Sequence, residues 1–158
     1  MPWMKKIDIE EANAAYADIV KQARELREKA AAARIIAKAL DGKYITKAIE
    51  PKMKELFADE TWRVYYSNQN DWKYCAICRG HNYQNTWYID LCPRNEKRVS
   101  TEHINKRADE GEAKAADLEA ELPTFNETVA TFNAIVTTYK AVREKLYSWG
   151  FHDLPYVW

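Results

Sequence analysis

The chain has 158 residues, of which 47% are hydrophobic and 30% charged, so it is long enough to form one domain with a sizeable core. Its 24 basic residues balance its 24 acidic ones, which excludes an overall charge that would draw it to nucleic acid or to an anionic membrane. The start of the chain lacks the apolar run of an export signal, and no window is apolar enough to span a bilayer. Together with an odd number of cysteines, this predicts a reducing compartment and a cytoplasmic protein.

The first predicted helix runs from residue 8 to residue 40. Asp8 can cap its first turn, with Glu11 at the spacing of a capping box. Apolar residues then recur every three or four positions over more than four heptads, which is typical of a coiled-coil seam. We expect the last helix to pack on this seam. A homodimer through the same seam is the alternative, with a two-fold interface formed by Tyr16, Ile19, Ala23 and Leu26.

A second, shorter helix is predicted after a turn. Gly42 can adopt the left-handed conformation that ends the first helix. Thr46 is placed to cap the next one, which carries Ile49 and Met53 on one face and tolerates Pro51 near its first turn.

The stretch 61–92 is the only part that lacks a helical pattern, and it holds eight of the twenty aromatic residues and all three cysteines. Three alternating runs separated by turn-forming residues predict an antiparallel meander with one face on the helices. In the first and last runs, the predicted inward residues are Trp62, Val64, Tyr66, Trp87, Ile89 and Leu91. Lys73 and Arg79 share one face of the middle run with Ile77, so we predict that this face is turned outward. The inward set is then Trp72, Tyr74, Ala76 and Cys78.

Two more helices are predicted in the last third of the chain. Ser100 is placed to cap a polar third helix over 101–121. We expect Pro123 to break or kink this helix, because proline lacks a backbone N–H and its ring clashes with the preceding turn. A last helix over 124–149, capped by Thr124, then carries one apolar stripe formed by Phe125, Val129, Phe132, Val136, Tyr139, Val142 and Leu146.

These elements predict an α+β fold: a long antiparallel helical pair and short helices packed on a small three- to four-stranded antiparallel sheet. We expect a single domain over 1–158, with helices over 8–58, the meander over 61–92, helices over 100–149 and an aromatic tail over 151–158. The tail is too aromatic to remain in solvent, so we expect it to fold back onto the sheet or core, with an added edge strand as one form.

Signatures of catalysis are absent from the sequence. The four glycines do not form a phosphate-binding loop, the three histidines form no helical metal-binding pair, and no local signature marks a nucleophile. We therefore expect no enzyme, no cofactor and no metal. The alternative is a zinc-stabilised module, because Cys75, Cys78, His81 and Cys92 could supply three thiolates and one imidazole. The strand interpretation competes for the same residues, since positions three apart on a strand face opposite sides.

The candidate binding surface consists of aromatic and basic residues on the predicted sheet: Arg63, Tyr65, Trp72, Lys73, Arg79, Tyr83 and Tyr88. Exposed aromatic residues mark protein contact sites. Such residues also stack on bases and contact phosphates in single-stranded nucleic acid, to which the basic end of the first helix would add Arg24, Arg27, Arg34 and Lys38.

We accordingly predict a non-catalytic protein-interaction module: an adaptor, an assembly subunit or a small inhibitor of the kind that phages and mobile elements encode. Its expected partner is another protein, and no membrane partner is expected. A nucleic-acid-binding module that uses the sheet and the basic end of the first helix is the alternative.

Overall fold

The computed structural model describes residues 3–58, 62–69, 72–81 and 84–157, with the backbone alone at 3, 65–69, 72–76, 78, 80–81 and 84–86. The described chain is mostly helical, with a few short strands. In chain order its elements are β1 Trp3–Met4, α1 Ile9–Leu40, a 3-10 turn Lys47–Ile49, α2 Glu50–Leu56, β2 Trp62–Gln69, β3 Trp72–His81, β4 Gln84–Asp90, α3 Thr101–Ser148 and β5 Tyr156–Val157. They group into a terminal unit, Met1–Gln22 with Asp117–Trp158, and a central unit, Ala23–Ala116.

Side-chain caps begin α1 and α3 as the sequence predicts, whereas Thr46 caps the 3-10 turn, and α2 begins at Glu50 without a side-chain cap. The side chains of Asp8, Thr46 and Ser100 each accept a hydrogen bond from a backbone N–H in the turn that follows, over 2.7, 3.3 and 3.2 Å. These bonds satisfy donors that have no partner inside a helix. Gly42 follows the end of α1 with φ +73°, a conformation that a side chain would disfavour.

The core of the central unit is formed by α1, α2, the strands and the start of α3. Its fully buried large side chains are Ile36, Leu40, Met53, Ile77, Leu91 and Ile104. The strands follow the order β2-β3-β4, and both neighbouring pairs are antiparallel. Each fully buried apolar side chain stabilises the fold by roughly 1.5–3 kcal/mol, so this cluster supplies much of the driving force for folding.

The prediction for the middle strand is wrong at Ile77, which is fully buried rather than turned outward. Residues directly opposite each other in an antiparallel pair share a face, and Ile77 lies opposite Val64 on one side and Ile89 on the other. Arg79 is two residues from Ile77 on β3 and so lies on the same face, where its guanidinium stacks on Trp87, with Cζ 3.3 Å from the ring centroid. An arginine stacked on an aromatic ring can lie at the rim of a core. The charge of Arg79 was therefore not a reliable sign that its face of the strand is turned to solvent.

Of the break or kink predicted at Pro123, the break is wrong, because α3 continues through the proline. Apolar residues keep a spacing of three or four across the proline, at Leu118, Leu122, Phe125 and Val129, and all four are half-buried. Packing on both sides therefore offsets the hydrogen bond that proline removes. Thr124 does not cap a new helix; its hydroxyl donates to the Glu121 carbonyl over 3.3 Å.

In the terminal unit, contacts within one chain occupy the start of α1. The ring of Tyr16 meets that of Phe125 edge to face, with centroids 5.5 Å apart. Asn133 makes two side-chain hydrogen bonds to the backbone of Ile7, over 2.8 and 2.9 Å. Of the predicted stripe on the last helix, Val136 is fully buried, whereas Phe132 and Val142 are exposed.

The seam predicted as a possible homodimer interface is used inside the chain. Tyr16 contacts Phe125, Ala23 is buried in the central unit, and Leu26 lines a cavity there. Of the four seam residues, only Ala23 is buried and the other three are half-buried, so the homodimer through this seam stays a prediction.

The tail does not add to the meander. Instead β5 pairs in parallel with β1, with Tyr156 opposite Trp3 and Val157 opposite Met4. The hydroxyl of Tyr139 and Nε of Arg143 both donate to the carbonyl of Pro155, over 3.0 and 2.7 Å. Hydrogen bonds from the last part of α3 therefore hold the tail within the terminal unit.

Candidate functional site

The predicted binding surface divides between two faces of the sheet. Arg63 and Tyr88 are exposed and lie opposite Cys78 from its two sides, so they share the outer face. Arg79 lies on the core face with Trp87. Tyr65 lies on β2, and Trp72 and Lys73 lie on β3; at these three positions only the backbone is described. Tyr83 lies outside the described residues.

The proposed zinc ligands lie on different parts of the meander. Cys75, Cys78 and His81 belong to β3, which runs as one strand from residue 72 to residue 81, and their side chains lie outside the described atoms. Cys92 is buried in the core, and its thiol donates to the carbonyl of Glu96 over 3.3 Å. The structure therefore gives Cys92 a protein partner and a place in the core.

A cavity of about 190 Å³ lies in the central unit beside the end of β4. Two helices line it with residues at the same spacing of i, i+3, i+4 and i+7, which brings one stripe of each helix to the cavity. Its lining, called the pocket below, consists of Leu26, Lys29, Ala30 and Ala33 from α1, Ile104, Arg107, Ala108 and Gly111 from α3, and Tyr88, Ile89 and Asp90 from β4.

Most of the residues that line the pocket are apolar, and several of them are alanine or glycine. The charged residues of the lining differ in their surroundings. Lys29 is half-buried, and its ammonium group makes no hydrogen bond or ion pair within the described chain. Burial lowers the pKa of Lys29 below its ordinary value of 10.5. Arg107 is more exposed and contacts Glu110 one turn along, over 3.3 Å.

Asp90 links the end of β4 to the start of α3. Its Oδ2 lies 2.8 Å from Nε2 of His103, and both side chains are largely buried, at 20% and 16% exposure. The backbone N–H of His103 also donates to the Ser100 hydroxyl. The other carboxylate oxygen of Asp90 is buried without a hydrogen-bond partner among the described residues. This pair therefore fixes the β4 end of the pocket against α3.

Gly111 keeps the pocket open from within a helix. An added Cβ at this position would meet only the Leu26 carbonyl, at an ordinary contact distance of 3.9 Å. Packing therefore does not require a glycine there, although glycine costs about 1 kcal/mol relative to alanine in a helix interior. What its missing side chain provides is space in the pocket.

A contrasting group, called the Arg34 network below, joins α1 to α3 in the same unit. Nε of Arg34 donates to Glu112 over 3.1 Å, and its other nitrogens donate to Asn105 and Asp109. The hydrogen bonds to Glu112 and Asp109 raise the pKa of Arg34 above its ordinary value. Arg34 belonged to the predicted nucleic-acid surface, but in the structure it forms ion pairs with Asp109 and Glu112 of the same chain.

Comparisons with known protein families, with curated proteins and with solved structures find no match. Within the described ranges, no helix has the length and apolar character needed to cross a bilayer.

Sequence reasoning identified Tyr88 but missed the rest of the pocket. Lys29 lies three residues after Leu26 and four before Ala33, on the edge of the apolar seam, and this spacing was a usable signal. Gly111 inside a helical pattern was a second signal, since glycine costs stability in a helix interior and leaves space beside it. Nothing local indicates that Asp90 and His103 meet, because their contact depends on how β4 returns to α3.

Proposed function

We propose that this protein is a non-catalytic protein-interaction module and that the pocket receives one anchoring side chain of the partner protein. The observation that carries the proposal is the pocket itself: a small apolar cavity, bordered by Tyr88, one of the residues that the sequence marks for partner binding.

Size supports this proposal over a cofactor or substrate site. Pockets that enclose whole cofactors or drug-sized molecules have volumes of about 300–1,000 Å³. A cavity of about 190 Å³ is closer to the room that one large side chain needs. Protein interfaces concentrate their binding energy in such anchors, which insert into desolvated pockets.

The surroundings of the pocket also resemble the rim of an interface. Tyr88 is 43% exposed at its edge, and aromatic residues at such positions contribute large contact area at low conformational entropy. Arg63 lies on the same outer face of the sheet, two strands away. A partner anchored in the pocket could therefore extend across this face.

A photocrosslinking experiment in the native cells tests the proposal. A benzophenone amino acid replaces Tyr88 in one variant and, as a matched control, the exposed Tyr147 of the terminal unit in another. We expect one dominant protein adduct from position 88, resistant to nuclease and absent from position 147. The adduct should disappear when Gly111→Leu is added, because leucine adds a large side chain to the pocket lining at a position where its Cβ meets no atom closer than 3.9 Å.

Thr131→Leu is the control for the added leucine, since Thr131 is exposed on α3 in the terminal unit. It should leave the adduct unchanged. An adduct that persists in Gly111→Leu, in protein shown by circular dichroism to be folded, would contradict the proposal. Loss of the adduct on nuclease treatment would instead support the nucleic-acid alternative.

A further inference from the structure

The position of Lys29 indicates which chemistry the pocket accepts. Its ammonium group is partly withdrawn from water, yet it has no acidic partner within the described chain. A desolvated charge is unfavourable unless an opposite charge compensates it. The pocket therefore contains a cation whose electrostatic environment is incomplete.

The other charged groups of the pocket do not complete it. Oδ2 of Asp90 lies 2.8 Å from Nε2 of His103, and its Oδ1 makes no hydrogen bond to Lys29 or to any other described residue. Arg107 contacts Glu110. Apart from Asp90, no acidic residue of the described ranges lines the pocket, whereas two cations do. The charge that would fit beside Lys29 is therefore a negative one from outside the chain.

We infer that the group bound in the pocket is an apolar body bearing a carboxylate, with the apolar part between the two helices and the carboxylate on Lys29. This inference rests on the proposed function, in which a partner protein supplies the group. In that setting it is an acidic segment in which a large apolar side chain stands next to a carboxylate, either of an acidic residue or of the chain end.

A carboxylate fits better than a phosphate. Phosphate recognition uses several converging donors, commonly arginine forks or backbone N–H groups at a helix start. The pocket instead offers one half-buried lysine, with one more exposed arginine, above an apolar floor formed by Leu26, Ile89 and Ile104. One monovalent carboxylate matches that single buried cation and leaves most of the site for apolar contact.

A ligand titration followed by NMR tests the inference on the full chain. The probe is 4-phenylbutyrate, and its primary amide is the control with the same apolar body and no charge. We expect saturable shifts in the backbone amides of 26–33 and 104–111 with the acid, and at least tenfold weaker binding of the amide. Lys29→Gln should lower affinity for the acid to that for the amide, whereas Lys38→Gln, an exposed lysine of α1, should not change it.

Equal affinity for acid and amide, or an unchanged affinity in Lys29→Gln, would overturn the inference. Absence of saturable binding of the acid in the wild type would overturn it as well. The crosslinking test does not depend on these results. Loss of the position 88 adduct in Gly111→Leu supports the protein-interaction proposal even if the partner's anchor carries no carboxylate. Competition then separates the two sources of the carboxylate, because an amidated C-terminal peptide of the crosslinked partner should lose binding only if the chain end is the ligand.

Discussion

Two cations of α1, five residues apart, lie in opposite electrostatic environments within the central unit. Arg34 donates to Glu112, Asn105 and Asp109, and these partners raise its pKa. Lys29 lines the pocket and has no such partner among the described residues, and burial lowers its pKa. The same two helices thus satisfy one charge fully and leave the other beside an apolar cavity.

The difference separates a charge that holds the fold together from one that is available to a ligand. Arginine suits the first task, because its planar fork contacts several acceptors at fixed angles. Lysine carries a compact charge on a flexible stem and can reach an incoming anion. We expect substitution of Arg34 to affect stability and substitution of Lys29 to affect binding.

The largest effect should come from the apolar floor of the pocket. Ile104 is fully buried, lines the pocket and adjoins Asn105 of the Arg34 network. Ile104→Ala should lower the free energy of unfolding by about 2–5 kcal/mol, since it removes buried methylene groups and enlarges a cavity. Denaturant unfolding measures this loss. Ile135→Ala is the control on the same helix, because Ile135 is 55% exposed; a similar loss there would contradict the burial assigned to Ile104.

Removal of the paired cation should have a smaller effect. Arg34→Met leaves Asp109 and Glu112 near each other without their shared partner, so we expect a loss of roughly 1 kcal/mol in unfolding free energy. The loss should shrink in high salt because the network is partly exposed. Arg24→Met removes only one exposed contact with Glu28 and should change stability by less than about 0.5 kcal/mol. Equal losses for both variants would remove the distinction drawn for Arg34.

Gly111→Ala should stabilise the protein. Alanine is favoured over glycine in a helix interior by about 1 kcal/mol, and the added Cβ meets no close atom. The same change narrows the pocket, so thermal stability should rise while affinity for 4-phenylbutyrate falls. Destabilisation would show that the space at Gly111 is needed by the fold itself.

Lys29→Met should raise stability by up to about 1 kcal/mol at neutral pH, because it removes a desolvated charge. The pKa of Lys29 is lower in the folded state than its ordinary 10.5. At pH values between the folded-state pKa and 10.5, the unfolded chain therefore holds more protons than the folded one. Wild-type stability therefore increases with pH in that window, and the advantage of Lys29→Met is full below it and disappears toward 10.5. Unfolding curves at several pH values measure this. A difference that does not vary with pH would mean that Lys29 is solvated.

Much of the local structure follows from the sequence because its causes are local. The caps at Asp8, Thr46 and Ser100 and the turn at Gly42 depend on neighbouring residues alone. The errors at Ile77 and Pro123 arose where packing decides: cross-strand register buried Ile77, and contacts on both sides carried α3 through the proline.

The pocket shows the same limit more strongly. Its helical stripes have a readable spacing, but their meeting with Tyr88 and Asp90 depends on how β4 lies beside both helices. The absence of an acidic partner for Lys29 is a property of that arrangement. No residue pattern in α1 distinguishes Lys29 from Arg34 in advance.

The most direct test of this account is the pKa of Lys29, measured by NMR from the carbon next to its ammonium group, with and without saturating 4-phenylbutyrate. We expect a pKa below 10.5 in the free protein and a higher one in the complex, because the carboxylate compensates the half-buried charge. A value at or above 10.5 in the free protein, or one that the bound acid does not change, would contradict it.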